Sequence, residues 1–158
     1  MEVLSQESVQ AYWQKFLCTL PEDSPYHVKA YFEGGYGDSP ELANELLQLV
    51  LIGKKTASCG SLWEWEVEGK PLTKAGDVWV ELDRSGNPTC ITETIEVTIH
   101  KYSDVDADFA HAEGEGDLSL EYWRQAHKNF FSRILPKFGR EFSEDMPLVC
   151  ERFKLIYK

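Results

Sequence analysis

The chain has 158 residues, enough for one well-filled hydrophobic core and short for two. We therefore expect a single domain over 1–158. Its 27 acidic residues outnumber the 16 basic ones and give a net charge of −11. This balance argues against binding to long DNA or RNA, because phosphate neutralisation supplies most of that affinity. It leaves room for a local basic pocket that takes one nucleotide.

The first residues and the cysteines predict where the protein works. The start MEVLSQESVQ has neither a basic stretch nor an apolar signal core, and no apolar run approaches the roughly 18 residues of a membrane span. The four cysteines are widely spaced and form no C-x-x-C pair. We expect a cytoplasmic protein with reduced thiols and no membrane segment.

Two helices and a glycine-rich loop are predicted before residue 54. Ser5 is the predicted cap of a first helix, whose apolar residues recur at helical spacing at Val9, Tyr12, Trp13, Phe16 and Leu17. A long ordered loop over 20–40 follows, with a short strand at 28–32. The glycine cluster at 34–37 could bind a phosphate, but a loop that needs positive φ angles is the favoured interpretation. Ser39 caps a second helix that stops at Gly53.

Strand periodicity dominates the middle of the chain. Alternation with a period of two predicts strands over 57–67, 78–82 and 90–101, the last two joined by a hairpin turn. A short helix then starts near Ser103, a long helix covers 119–138, and a last strand covers 148–157. This order predicts an α+β domain with a mainly antiparallel sheet that can close into a barrel.

Two short motifs fail as cofactor or metal sites. Gly53-Lys54-Lys55-Thr56 is not a phosphate-binding loop, because Gln48 stands where a glycine is needed and the segment follows a helix. His111-Ala112-Glu113 lacks the paired cysteines of zinc deaminases, and the four histidines are scattered. We therefore expect no metal ion and no cofactor. A Cys–His hydrolase stays open, although nothing singles out one cysteine.

The segment 54–58 combines cations with hydroxyls, at Lys54, Lys55, Thr56 and Ser58. A lysine buried there would lose solvation and could act as a base that activates a hydroxyl nucleophile. The alternative is a helix C-terminus decorated with favourable cations. Arg124 and His127 lie three residues apart on one side of the long helix, either as site residues or as a surface arginine and a packing histidine.

These motifs together resemble the ASCH (activating-signal-cointegrator homology) family. The resemblance rests on Gly53-x-Lys55-Thr56, on the 111–117 sequence HAEGEGD, and on Trp123-Arg124-x-x-His127-x-x-Phe130. It implies a small PUA-like β-barrel flanked by helices over 40–157, with the G-x-K-x-x-[ST] segment at the edge of a cleft. The first helix and loop, 1–39, would then be an extension found in longer members.

The resemblance also implies site residues. One branch looks like an amidohydrolase of acetylated cytidine, which would place its lysine on Lys55, its acid on Glu115, and Ser58 where that branch has threonine. Our first hypothesis is therefore a hydrolase of a modified nucleoside or small RNA-derived substrate, in which Ser58 attacks and Lys55 takes its proton. Whether Glu113 or Glu115 faces the cleft stays open. The predicted substrate-binding residues are Lys54, Thr56, Arg124 and His127.

Other ASCH members look like ribonucleases or RNA-binding modules, so two alternatives accompany the first hypothesis. A ribonuclease would use the same cleft, with Lys55, Arg124 and His127 stabilising phosphate charge. A non-catalytic reader would stack a base on Trp63 or Trp65, although core packing is favoured for both. The expected partner in each case is a nucleoside or a short RNA.

Overall fold

The computed structural model describes the backbone of residues 2–158 and the side chains of residues 8–158. Within these residues the helices are α1 (Glu2–Cys18), α2 (Pro40–Leu51), α3 (Leu62–Glu68), α4 (Ala107–Glu113) and α5 (Leu120–Ile134). The strands are β1 (Phe32–Gly34), β2 (Ala57–Ser61), β3 (Val78–Leu82), β4 (Pro88–Lys101) and β5 (Pro147–Tyr157). Short 3-10 helical turns cover Pro25–Val28, Tyr102–Asp104 and Leu135–Phe138.

The five strands form one mainly antiparallel sheet in the order β1-β3-β4-β5-β2. Only β1 runs parallel to its neighbour, β3, among the described strand pairs. The register shifts at Glu81/Leu82, at Ile91/Thr92 and between Thr94 and Glu96. Such irregularities bend a strand and increase its twist, so the sheet can curl around an interior. The predicted α+β fold with a PUA-like barrel-type sheet is confirmed.

Two groups of buried side chains fasten helices to this sheet. Apolar residues of α1 pack against Val78, Val80 and Ile91. Trp123 and Phe131 of α5 pack with α4 and with Leu148 and Cys150 of β5. The helical stripes predicted from the sequence therefore point into the protein. None of the helices within residues 2–158 has the length and apolar character needed to cross a membrane.

Three predicted elements differ from the structure. The strand predicted over 57–67 ends at Ser61, whose side chain accepts a hydrogen bond from the Trp63 amide and caps α3. Alternation in this segment was therefore a poor guide, because a buried capping serine ends the strand. The short strand predicted at 28–32 lies at Phe32–Gly34, after a 3-10 turn. The first helix already covers Ser5, so Ser5 does not cap it.

The sheet also buries a carboxylic acid. Glu81 is 6% exposed and accepts hydrogen bonds from the hydroxyls of Thr92, at 2.9 Å, and Tyr36, at 3.3 Å. Burial raises its pKa from 4.5 to about 7, despite these two hydrogen bonds. The folded state therefore binds an extra proton between about pH 4.5 and 7, and the stability that this proton contributes is lost as the pH rises through about 7.

Replacing Glu81 by glutamine is expected to stabilise the protein at pH 8 by on the order of 3 kcal/mol, the free energy of such a pKa shift. The amide can still accept both hydrogen bonds but carries no charge. At pH 5 the variant and the wild type should differ little. Urea unfolding at both pH values measures this, with the exposed Glu33→Gln as control. A variant that is less stable than wild type at pH 8 would contradict the interpretation.

Candidate active site

The turn at the end of α2 places the side chains of Lys54 and Lys55 in different surroundings. Gly53 adopts a φ of +78° and ends the helix, and the amides of Lys54 and Lys55 both donate to the Leu49 carbonyl, at 2.9 and 3.0 Å. The Thr56 amide then donates to the Ala112 carbonyl at 2.7 Å. As a result the Lys55 side chain is buried, at 2% exposure, while Lys54 is exposed.

Gly114 brings the end of α4 against this turn. It caps α4 with a φ of +74°, and a Cβ at this position would lie 2.4 Å from the Lys54 carbonyl oxygen. Only glycine permits so close an approach of two backbones at a positive φ. Glu113 and Glu115, on either side of Gly114, both form ion pairs with Lys55.

Lys55 is held as a cation by these two carboxylates. Its Nζ donates to Glu113 Oε2 at 2.8 Å and to the Glu113 carbonyl at 3.3 Å, and lies 3.6 Å from Glu115 Oε2. Burial alone would lower the pKa of Lys55, but the two negative charges outweigh it and raise that pKa above 10.5. The ammonium group therefore remains protonated at neutral pH.

The two glutamates differ in protonation. Burial alone would raise the pKa of Glu113, but the positive charges of Lys55 and His127 hold it well below its ordinary value. Burial raises the pKa of Glu115 to about 7, with a smaller contribution from the charge of Glu113 and in spite of Lys55. Glu113 is thus a fixed carboxylate, whereas Glu115 can gain or lose a proton near neutral pH.

His127 completes the group from α5. Its Nδ1 lies 2.9 Å from the Trp123 carbonyl oxygen, an acceptor, so this nitrogen carries a hydrogen. Its Nε2 lies 3.5 Å from Glu113 Oε1 and 3.9 Å from Glu115 Oε2, and its ring stacks on Trp123. Burial alone would lower the pKa of His127, but the charge of Glu113 outweighs it and raises that pKa.

These four side chains line a cavity of about 410 Å³ between the sheet and α5. Ser58 and Cys59 of β2 line it as well, and aromatic rings stand in its wall at Tyr36, Tyr122 and Phe130. A volume of this size suits a small organic ligand. The cavity therefore combines planar apolar surfaces with a buried cluster of ionisable groups, the composition expected of a catalytic pocket.

The structure brings together some of the predicted site residues and separates others. Lys55, Ser58, Glu115 and His127 line the cavity, and so does Glu113. The sequence left open whether Glu113 or Glu115 faces the cleft. Both line the cavity. The Lys55 ammonium makes no hydrogen bond to Ser58; within the described residues its hydrogen bonds go to Glu113. Glu113 is thus a second acid of the site that the sequence left undecided.

Lys54, Thr56 and Arg124 lie outside this cavity. The Thr56 hydroxyl donates to the Ala112 carbonyl at 3.3 Å, and the Arg124 guanidinium donates to the Ser103 and Val105 carbonyls at 3.3 and 3.4 Å. The contacts of Thr56 and Arg124 support roles in holding segments together, whereas the Lys54 side chain is exposed. Trp63 and Trp65 lie on α3 and do not line the cavity either.

Three ligand atoms of Cys59, Glu113 and His127 lie within 4.8 Å of one another, a spacing compatible with a metal ion. Glu113 already has its counter-cation, however, in the ammonium of Lys55. Burial, followed by the charge of Glu113, raises the pKa of the Cys59 thiol well above its ordinary value, so the thiol keeps its proton. The cluster therefore fits an acid–base centre better than a metal site or an activated cysteine.

Gly114→Ala is expected to destabilise the protein by about 1–3 kcal/mol more than Gly53→Ala, the usual cost of overpacking. Both glycines have a positive φ, and this conformation costs alanine about 1–2 kcal/mol. A Cβ at Gly53 meets no atom within 4 Å, whereas one at Gly114 meets the Lys54 carbonyl. Urea unfolding of both variants measures the difference. Equal losses would show that the close approach does not matter.

The fold is that of a PUA-like α+β domain, and a cavity lined by ionisable side chains lies between its sheet and α5. The family model of the ASCH domain matches residues 33–157. The chain thus belongs to the ASCH domain family, whose members are broadly RNA-binding. None of the curated proteins matches it significantly.

Solved structures agree with this assignment. The ASCH domain from Lactobacillus crispatus JV V101 is 35% identical, with a TM-score of 0.88 and 96% of each chain covered. Protein EF3133 from Enterococcus faecalis V583 is 34% identical, with a TM-score of 0.84, and the match covers 96% of this chain and 90% of that one. Hypothetical protein PH0355, at 12% identity and a TM-score of 0.52, shares the fold alone.

Proposed function

We propose that this protein is a hydrolase that removes the acyl group from a modified nucleoside, with N-acetylcytidine as the model substrate. One observation carries the proposal: a protonated lysine and a glutamate with a pKa of about 7 lie 3.6 Å apart in the wall of one cavity. A cation that stabilises an oxyanion and a base that works at neutral pH are the two groups that acyl hydrolysis needs.

The roles differ from those that the resemblance implied. Lys55 cannot take a proton from Ser58 while it is itself protonated, so the base is Glu115 in its ionised form. Two of the three ammonium hydrogens of Lys55 are bonded to Glu113, and the third remains for the carbonyl oxygen of the substrate. Glu113 is a positioning residue that keeps Lys55 charged and fixed.

The reaction then runs in two stages. The Ser58 hydroxyl forms a bond to the acyl carbon while its proton passes to Glu115, and the carbonyl electrons move to the oxygen beside Lys55. The C–N bond breaks as Glu115 returns the proton to the leaving nitrogen. A water molecule next attacks the acyl-serine with Glu115 as base, which releases the carboxylic acid and restores Ser58.

The walls of the cavity support a planar aromatic substrate. The ring of Tyr36 lies on one side, with its centroid 5.8 Å from the Lys55 ammonium. Tyr122 and Phe130 line the same space from α5. Base–aromatic stacking contributes about 1–3 kcal/mol per base in nucleic-acid binding proteins, so such walls favour a nucleobase over an aliphatic amide.

Incubation with N-acetylcytidine and mass detection of cytidine and acetate tests this function. The wild type should release both products, and Ser58→Ala should release neither. Rapid quenching should reveal an acetyl group on the Ser58 peptide. The control is Ser85→Ala, on an exposed turn. Absence of turnover by the wild type, or full turnover by Ser58→Ala, would refute the proposed mechanism.

A ribonuclease is the second candidate, because the pKa of His127 is raised and its Nε2 lies 3.9 Å from Glu115. An imidazolium acid beside a carboxylate base, with a lysine near both, could also cleave a phosphodiester. This reaction requires His127 as the acid, whereas the acyl transfer above does not. Degradation of a short RNA that is abolished by His127→Gln, without acetylcytidine turnover, would favour the ribonuclease.

A further inference from the structure

A second cavity adjoins the first and is separated from it by Tyr36. It has a volume of about 410 Å³, and Gly35, Tyr36 and Gly37 line both cavities. The ring of Tyr36 is held by its hydroxyl, which donates to Glu81 at 3.3 Å, and by the nearby ring of Phe153, with centroids 6.2 Å apart. The two cavities therefore lie next to each other along this segment.

The walls of the second cavity are close to the sheet. A Cβ at Gly34 would lie 2.8 Å from Glu81 Oε2, and one at Gly35 would lie 3.2 Å from the Leu82 carbonyl. The glycine segment thus lies directly on the end of β3. The turn that follows β3 forms the opposite wall, with Arg84 and Gly86 lining the cavity.

Arg84 differs from the other arginines of the chain. Arg133 pairs with Asp38, Arg152 with Asp108, Arg124 donates to two backbone carbonyls, and Arg140 lies over the Trp63 ring at 4.6 Å. Within residues 8–158, Arg84 is the arginine that has no carboxylate, carbonyl or aromatic partner. It stands at a cavity in a protein with a net charge of −11.

The neighbouring acid, Asp83, is already engaged. Its carboxylate accepts hydrogen bonds from the Ser85 and Asn87 amides, each at 2.9 Å, and from Asn87 Nδ2 at 3.2 Å. These bonds fix the turn and orient the Asp83 carboxylate, which also lines the second cavity; within residues 8–158 it forms no ion pair with Arg84. Arginine binds phosphate through two parallel hydrogen bonds, and this contact is stronger than that of a neutral donor.

We infer that the second cavity binds a phosphate group attached to the nucleoside that occupies the first, with Arg84 as its cationic partner. This inference rests on the proposed function, since it assumes a nucleoside in the first cavity. It narrows the substrate class from free nucleosides to nucleotides or short oligonucleotides. The overall negative charge of the protein acts weakly at this point, because exposed charges are screened beyond about 8 Å at physiological salt.

Calorimetric titration tests the inference with cytidine, its 3′- and 5′-monophosphates, and a cytidine-containing dinucleotide as ligands. At least one monophosphate should bind about tenfold more tightly than cytidine. Arg84→Gln should remove this advantage and leave the affinity for cytidine unchanged. The control Arg140→Gln, which lines neither cavity, should keep the advantage.

The dinucleotide distinguishes the two possible sources of the phosphate, a free nucleotide and an oligonucleotide. If it binds more tightly than the better monophosphate, an oligonucleotide is the ligand, and equal affinity identifies a free nucleotide. Equal binding of cytidine and both monophosphates, or an Arg84→Gln variant that binds them as the wild type does, would overturn the inference. A phosphate advantage without acetylcytidine turnover would keep this subsite and reject the hydrolase, and turnover without the advantage would do the reverse.

Discussion

Lys55→Met is expected to abolish acyl hydrolysis and to lower the free energy of unfolding by about 3–5 kcal/mol. The substitution keeps most of the side-chain volume but removes the cation that pairs with Glu113 at 2.8 Å, where both side chains are at most 2% exposed. A buried carboxylate without its partner is strongly destabilising. The neighbouring Lys54→Met is the matched control, because Lys54 is exposed, and it should change neither property.

A double variant separates the two effects of Lys55. Adding Glu113→Gln to Lys55→Met removes the unpaired charge, so most of the lost stability should return. The activity should not return, because the oxyanion still lacks its cation. Urea unfolding and acetylcytidine turnover measure the two properties separately. Recovery of both, or of neither, would disagree with the assignment of Glu113 as a positioning residue.

Glu115→Gln is expected to slow hydrolysis by about 10²–10⁴-fold and to remove its pH dependence near neutrality. The proposed base must be ionised, and the pKa of Glu115 is raised to about 7 by burial. The kcat/KM of the wild type should therefore rise with pH through about 7 and level off above it. Lys55 stays protonated throughout, since its pKa is raised above 10.5.

The matched control for this profile is Glu64→Gln. Glu64 also lines the cavity but makes no ion pair with Lys55. Its variant should keep both the rate and the rise through about pH 7. A profile that falls as the pH rises through 7 would mean that the protonated form of Glu115 is the active one, and a rise that persists in Glu115→Gln would assign the titration to another group.

Much of the fold could be predicted because several elements carry independent local signals. The second helix has a capping Ser39 and a stop at Gly53, and the structure gives it these ends. Strand β3 runs over the predicted residues. The strand predicted over 57–67 is present over Ala57–Ser61 but wrong beyond it, because the fully buried Ser61 ends the strand and caps a helix, and the alternation of residue types does not signal this change.

The residues of the candidate site could be predicted more completely than their protonation states. Lys55 and Glu115 come from motifs far apart in the chain, and the resemblance to the ASCH family placed them together. Their protonation depends on Glu113, whose position opposite Lys55 follows from the left-handed Gly114 and from a backbone contact 60 residues away in sequence. Sequence alone does not supply such a contact, so the motifs predict Lys55 as the base, whereas the charges around it lead us to propose Glu115.

The measurement that tests the central claim most directly is the rate of N-acetylcytidine hydrolysis by the wild type and by the Lys55→Met/Glu113→Gln double variant. Both proteins should be folded at 25 °C, as urea unfolding will show. We expect the wild type to release cytidine and acetate and the double variant to be slower by at least about 10²-fold, the loss typical of removing an oxyanion contact. A wild type that releases no cytidine, or a folded double variant that matches its rate, would contradict a catalytic role for the buried lysine.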